Sequence, residues 1–459
     1  FEKSRKMSPG HLTEGLKIKK MAVPDAHEDS MTMAAMAVMR LLEQNNLQPK
    51  DIGRFEVATE TSYDEAKAAN TYIIGMLEQV YGYGSCKRWG GVERKAACAS
   101  GGYAVYDVCN WIRAKENEGK KGIVVATDIA KYEIGTTGEY TQGGGSVAYL
   151  ITEDPRLISF ERGTSAYVTI NERDFFRPFG KITAVFDGHY SNLCYMFCMR
   201  EAFDFWKEKV LSKKIIQLKE GEAVTDFIDR MVFHVPYPKM VEYALAFLLR
   251  HEWRNLPRWK DIINLIGPEP PHKEGTIETI LKDEIFMKAD NEFRRKFVKT
   301  KFFEDVYKEK VKSSTKIPEE VANIYTGSIG LAMLSLFEVE YKAGIELAGK
   351  RIGQGFYGSG ATALVIDGII SENYKEAAKK FDMLNELEKR KKISIEEYED
   401  LHEMIKEKDS KSKFFILHGI RRRRKKLKES IIPPREEFAL VGIGRTGNEK
   451  GYRYYKFIE

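Results

Sequence analysis

The 459-residue chain holds only five cysteines: Cys86, Cys98, Cys109, Cys194 and Cys198. So few in so long a chain, odd in number and without a CxxC pair, exclude a disulfide framework and a zinc knuckle, and suit a reducing compartment. No apolar run approaches the roughly 20 residues of a membrane helix, so no membrane partner is expected and the location expected is cytoplasmic. Charge of one sign is also scarce. Seventy-four Lys and Arg against 68 Asp and Glu leave +6, an excess that suits an anionic small molecule without demanding nucleic acid. Methionine is missing from the first position: the chain opens on Phe1, so the start of the gene product, with any targeting signal, is expected upstream.

What is present is an ordinary globular composition, 43% hydrophobic and 31% charged, long enough for one large α/β body or two domains. Residues 31–44 (MTMAAMAVMRLLEQ) carry helical periodicity. Strands are expected at Phe55–Thr59, Val92–Ala97, Gly122–Thr127 and Ser146–Thr152, with helices at Asp64–Val80 and Ala99–Lys115 between them. The rhythm returns at Arg230–Val235 (strand), Lys239–Arg250 and Ser328–Leu347 (helices), and Lys350–Phe356 with Ala361–Ile366 (paired strands). Alternation of this kind implies a layered α/β body in two halves, 1–190 and 191–459. Two charged stretches interrupt the second half. Residues 251–320 read as a loop (GPEPP) leading to an exposed helix at 277–312, an inserted cap, and 375–430 as helices solvated on one face.

ERKAACASGG (93–102) is the strongest chemical signal, a short strand running through small residues into a helix. It places Cys98 near unpaired backbone N–H groups and a helix dipole, a setting that favours a thiolate and admits a bulky thioester. The plainer alternative is a buried cysteine acting as a small hydrophobe. Glu60 ends FEVATETSYD just past a strand, where α/β sheets present ligand-binding groups, or else it caps the following helix. His234, in MVFHVPYPKM, stands at a strand end before two prolines, as a substrate-orienting group or a hydrogen-bonded core imidazole. Lys239 offers a cation for a CoA phosphate or for solvent. GQGFYGSG (353–360) is formally GxGxxG but precedes a strand, which argues against dinucleotide binding and for close backbone approach or a tight hairpin. GGGS (143–146) reads as a turn, and Cys194 and Cys198 as one core face of a helix. The run Arg421–Arg424 with Lys425 and Lys426 lacks interleaved aromatics and reads as solvated surface.

Taken together, ATET (58–61), ACAS (97–100), HVPYPKM (234–240), NIYTGS (323–328) and YGSG (357–360) resemble the hydroxymethylglutaryl-CoA synthases. DIAKY, DFFRP, DGHYS, KRKKISIEEYEDL and GYRYYKF extend the likeness along nearly the whole chain. The resemblance implies a thiolase-type αβαβα fold of five layers in two pseudo-symmetric halves, a homodimer, and a possible partner thiolase. It implies acetyl-CoA and acetoacetyl-CoA as substrates in the mevalonate pathway, with no further cofactor and no metal. By the same likeness Cys98 is the acetylated nucleophile, Glu60 the general acid/base and His234 the anchor of acetoacetyl-CoA. Asp128, Tyr132, Asp187, Asn323, Tyr357 and Ser359 fall on pocket positions, and Lys239 on a CoA-contacting one. In two respects this chain departs: the family's first core strand would precede Phe1, and Ala99-Ser100 stand where many members carry an aromatic. A thiolase or ketoacyl synthase, or a non-catalytic scaffold of the same fold, are the rival readings.

Overall fold

The computed structural model describes residues 1–271, 273–410, 435–444 and 447–459. The first half runs α1 (Ser30–Gln44), β1 (Ile52–Ala58), α2 (Ala69–Tyr81), β2 (Glu93–Arg94), α3 (Ser100–Arg113), β3 (Lys121–Ile129) and β4 (Gly144–Ile151). Its sheet has the order β2-β1-β3-β4, with β1 parallel to β2 and β3, and β4 antiparallel to β3.

Then come β5 (Ile158–Phe160), β6 (Ala166–Thr169), the hairpin β7 (Phe175–Phe176) and β8 (Val185–Phe186), α4 (Gly188–Ser212), β9 (Arg230–Phe233) and α5 (Pro238–Trp253). Five helices follow: α6 (Pro257–Ile266), α7 (Ile277–Leu281), α8 (Glu284–Phe297), α9 (Lys301–Lys310) and α10 (Pro318–Val321). After them α11 (Ser328–Lys342) leads into the hairpin of β10 (Arg351–Gly358) and β11 (Thr362–Ile370). In this second sheet β9 is parallel to β10, β11 antiparallel to β10, and β5 and β6 antiparallel to β11. The triplet β9-β10-β11 repeats the topology of β1-β3-β4. The chain changes sheets between Ile151 and Ile158, ahead of the division expected at 190.

Period-two alternation builds the layers. Phe55 and Val57 of β1, with Ile123 and Val125 of β3, pack under Met31, Ala35 and Val38 of α1 and Ile73 and Leu77 of α2. Ala58, Val124 and Ala126 face the other way, onto Ala104, Val105 and Val108 of α3. α3 also touches the second sheet, since a Cβ on Gly102 would lie 2.5 Å from the Phe356 ring. Like α3, α11 is shared: Gly330 abuts Tyr149 of β4, while Ile329 and Leu336 join the core of Ile352 and Phe356. With α4 and α5 on the far face, the result is the layered α/β, thiolase-like arrangement αβαβα. The tail contributes α12 (Tyr374–Ala378), α13 (Met383–Glu388), α14 (Ile395–Ser410) and the hairpin β12 (Glu437–Ile443) with β13 (Arg453–Ile458). That hairpin is locked to the start of α1. Asp29, which caps α1 through Met31 N and Thr32 N at 3.0 Å each, also receives Arg453 Nη1 at 3.0 Å and Tyr455 Oη at 2.9 Å.

Three sequence expectations change. The exposed helix expected at 277–312 is three helices, and it is not an appendage: Ile277, Phe293, Phe297, Phe303 and Tyr307 are buried in the main core. Amphipathic helices with a highly charged outer face look solvated from composition alone. The GGGS turn is instead the start of β4, where Gly143 and Gly144 let the strand pass hard against the 321–323 backbone and Pro24. The strand expected over Val92–Ala97 pairs only at Glu93–Arg94, because Ser100 Oγ takes Ala96 N at 2.6 Å and Ala97 turns to φ 46°. The basic run 421–426 lies outside the described residues. Among the described residues, no helix is long and apolar enough to cross a membrane.

Candidate active site

Parallel pairing brings the C-terminal ends of β1 and β3 to one edge, with Ala58 opposite Ala126. Asp128, at that end of β3, organises the turn that leaves β1. Its Oδ1 accepts from Thr59 Oγ1 (2.8 Å), Glu60 N (2.9 Å), Thr61 N (3.0 Å) and Thr61 Oγ1 (2.6 Å). Its Oδ2 accepts from Thr326 N (3.0 Å) and Thr326 Oγ1 (2.5 Å), just ahead of α11. With no exposure and both oxygens occupied, Asp128 cannot contact substrate as expected. It is a positioning residue, and the turn it fastens presents Glu60.

Cys98 reaches the same point from the elbow between β2 and α3. Positive φ at Ala97, the Ser100 hydroxyl bridging Ala96 N and Ala97 O, and Gly358 lying against Ala96 O and Ala99 N fix the thiol's direction. Cys98 Sγ donates to Glu60 Oε1 at 2.9 Å. The thiolate-favouring environment read from the sequence is overturned. Burial first, then the Glu60 charge, pushes the thiol well up, while burial and Asp128 raise the Glu60 carboxyl to about 8. Helix-terminus donors are outweighed by desolvation. At neutral pH the thiol keeps its proton and Glu60 is mostly protonated as well, so Glu60 acts as a base through its ionised fraction.

Around the pair, Tyr132 and Tyr325 form an aromatic wall with Phe175 and Phe186, the Tyr132 and Phe186 rings lying 4.9 Å apart. From the second half, His234 follows β9 and its N–H bonds Gly355 O at 2.8 Å. Burial depresses its imidazole to about 3, so the ring is neutral, and its Nδ1 has no hydrogen-bond partner among the described residues. Tyr195 sits between His234 (ring centroids 6.2 Å) and Tyr357 (4.8 Å), and Tyr357 leads into the turn that abuts the Cys98 elbow. Ser359 is half-buried in that turn.

The remaining expected contacts divide. Asn323 is buried, with its Oδ1 taken by Tyr325 N and Ser328 Oγ, both at 2.8 Å. Asp187 is exposed and caps α4 through His189 N and Tyr190 N. A helix N-terminus needs such an acceptor, which accounts for an aspartate there. Lys239, in the first turn of α5, pairs with Glu242, which Lys17 also holds at 2.5 Å. Sequence reasoning missed Asp174, which accepts from Tyr357 Oη at 2.9 Å and Gly360 N at 2.9 Å. It also missed Arg177, which donates to Glu60 O. Both lie in DFFRP, whose acid and base framing two aromatics was the available signal.

A cysteine on a strand-to-helix elbow, a glutamate in contact with its thiol and a neutral histidine at the seam of two repeated sheets fit an acyl-transferring condensing enzyme of the thiolase-like fold. Comparison with known proteins makes this specific. Residues 1–155 match the family model "Hydroxymethylglutaryl-coenzyme A synthase N terminal", and 158–423 match the corresponding "C terminal" model. The chain is 34% identical over 449 residues to the hydroxymethylglutaryl-CoA synthase of Haloferax volcanii, spanning 97% of this chain and 93% of that one. To the Saccharomyces cerevisiae enzyme it is 29% identical over 418 residues, spanning 90% and 80%. A solved structure titled "MvaS in complex with 3-hydroxy-3-methylglutaryl coenzyme A" superposes with TM-score 0.78 at 27% identity, covering 100% of this chain and 94% of that one. The chain belongs to the hydroxymethylglutaryl-CoA synthase family, whose condensation of acetyl-CoA with acetoacetyl-CoA serves the mevalonate pathway.

Proposed function

We propose that Cys98, Glu60 and His234 carry this condensation by a ping-pong route, and the observation that carries the assignment is the 2.9 Å Cys98–Glu60 contact. Cys98 sulfur attacks the acetyl-CoA carbonyl, its proton leaves by way of Glu60, and CoA departs as the thiol. Stabilisation of the developing oxyanion falls to backbone donors beside the Cys98 elbow. Glu60 then removes a methyl proton from acetyl-Cys98, and the enolate adds to the ketone of acetoacetyl-CoA. A neutral His234 has one N–H to donate to that ketone, and does so without the energetic cost of a buried imidazolium. Glu60 returns its proton to the alkoxide, and water cleaves the thioester, freeing Cys98 and leaving a carboxylate. Lys239 would release Glu242 to meet a CoA phosphate, while Asn323, Tyr132, Tyr357 and Ser359 line the acyl pocket. The chemistry asks for no cofactor beyond the thioesters. Family likeness further supports a homodimer and a partner thiolase supplying acetoacetyl-CoA. A cytoplasmic location fits the unpaired cysteines and a human relative named as the cytoplasmic synthase.

Mass spectrometry after brief exposure to acetyl-CoA tests the reading. An acetyl group on Cys98, absent in Cys98→Ser and discharged by acetoacetyl-CoA into hydroxymethylglutaryl-CoA, is the expected result. Folded protein that takes up no acetyl group would refute it.

A further inference from the structure

The β7–β8 hairpin grips both halves of the site at once. Asp174, just before β7, holds Tyr357 and Gly360 of the second half, and three residues later Arg177 donates to the main-chain oxygen of Glu60 in the first. The pairing of Phe175 with Phe186 sets the hairpin against Tyr132 and Tyr325, with Phe175 at 6.2 Å and 6.0 Å from the two rings. A half-buried guanidinium is thereby fixed beside the acid/base carboxylate. Among the described residues, the charged and titratable groups that act on Glu60 are Asp128 and Cys98 from the first half, Arg177 from the hairpin, and the neutral phenols of Tyr132 and Tyr325. Arg177 is the one cation in that set, opposing Asp128.

We propose that Arg177 is the positioning residue that keeps Glu60 competent as a base, holding its backbone in register and supplying the positive charge that lets its carboxylate exist in a buried site. The inference rests on the assignment of Glu60 as acid/base. Its sign follows from elementary electrostatics: a cation within reach favours the ionised carboxylate, and its loss raises the pH at which Glu60 can accept a proton.

Acetylation makes the test clean, because acetyl-Cys98 no longer titrates and the pH dependence of condensation reports Glu60 without the coupled thiol. Acetyl-enzyme of wild type, Arg177→Met and Arg177→Lys is mixed with acetoacetyl-CoA between pH 6 and 10, with thermal melts confirming that each is folded. Arg177→Met is expected to move the midpoint of the rate upward by roughly 1 unit, which makes condensation about tenfold slower at pH 7 and restores it at alkaline pH. Arg177→Lys is expected to recover most of the midpoint, since it keeps the charge. A uniform loss of rate with an unmoved midpoint would overturn the proposal and leave Arg177 as a brace of the hairpin. Acetyl-enzyme of Glu60→Gln that condenses as fast as wild type would overturn the Glu60 assignment instead.

Discussion

Glu60 and His234 are both buried, yet burial drives their protonation in opposite senses, the carboxyl up to about 8 and the imidazole down to about 3. Glu60 adds stability that is full below its ordinary value of 4.5 and is lost as pH rises through 8; His234 adds stability that is full above 6.5 and is lost as pH falls through 3. Between pH 4.5 and 6.5 the two slopes oppose each other. Relative to wild type, Glu60→Gln should therefore melt at rising temperature as pH climbs through that window, and His234→Gln at falling temperature. Thermal melts at three pH values check the pair, and parallel curves would sink the argument. Kinetically, Glu60→Gln removes a charge that raises the Cys98 thiol. Acetyl-Cys98 should still form, more slowly because Glu60 no longer carries the thiol proton away, while condensation drops roughly 100- to 10,000-fold. The sequence pointed to Cys98, Glu60 and His234 through their motifs and the family likeness, and the structure brings Cys98 and Glu60 into contact. It did not show the thiol's true acidity, since desolvation is set by residues far away in the chain.

Most elements were legible from periodicity, with α1, α3 and β3 each within two residues of expectation. Two of the failures, at Asp64 and at the Cys98 elbow, share a cause. Asp64 binds Ala66 N and Lys67 N at 2.9 Å and 2.7 Å in a loop, so α2 starts at Ala69 and not at Asp64. Side-chain hydrogen bonds to the backbone compete with regular structure, and propensity does not register them. The elbow carrying Cys98 is the consequential case. Its geometry depends on a glycine two hundred and more residues on, since a Cβ at Gly358 would come within 2.3 Å of Ala96 O. Gly358→Ala should fold with a loss of about 1–3 kcal/mol and acetylate far more slowly. Peptide mapping after acetyl-CoA exposure checks this, and undiminished acetylation would show that the elbow does not need the close approach.

At the scale of the molecule, a repeated topology could be suspected from alternating strands and helices, but nothing local reveals where the repeats meet. They meet at Asp128, whose six hydrogen bonds tie the turn after β1 to Thr326 at the head of α11. Asp128→Ala strands those donors in a dry interior and should cost about 3–5 kcal/mol, in line with other broken buried charge networks. Calorimetry would read this as a single lowered transition, and a change below about 1 kcal/mol would deny Asp128 the role. The β7–β8 hairpin does the same work from the outside, one aspartate and one arginine clasping opposite sides of the seam. Such a clasp makes the tuning of the site depend on a short surface hairpin. Proteolysis at the exposed Phe179 tip would leave every proposed catalytic side chain intact, yet slow the chemistry by loosening Arg177 from the turn that carries Glu60.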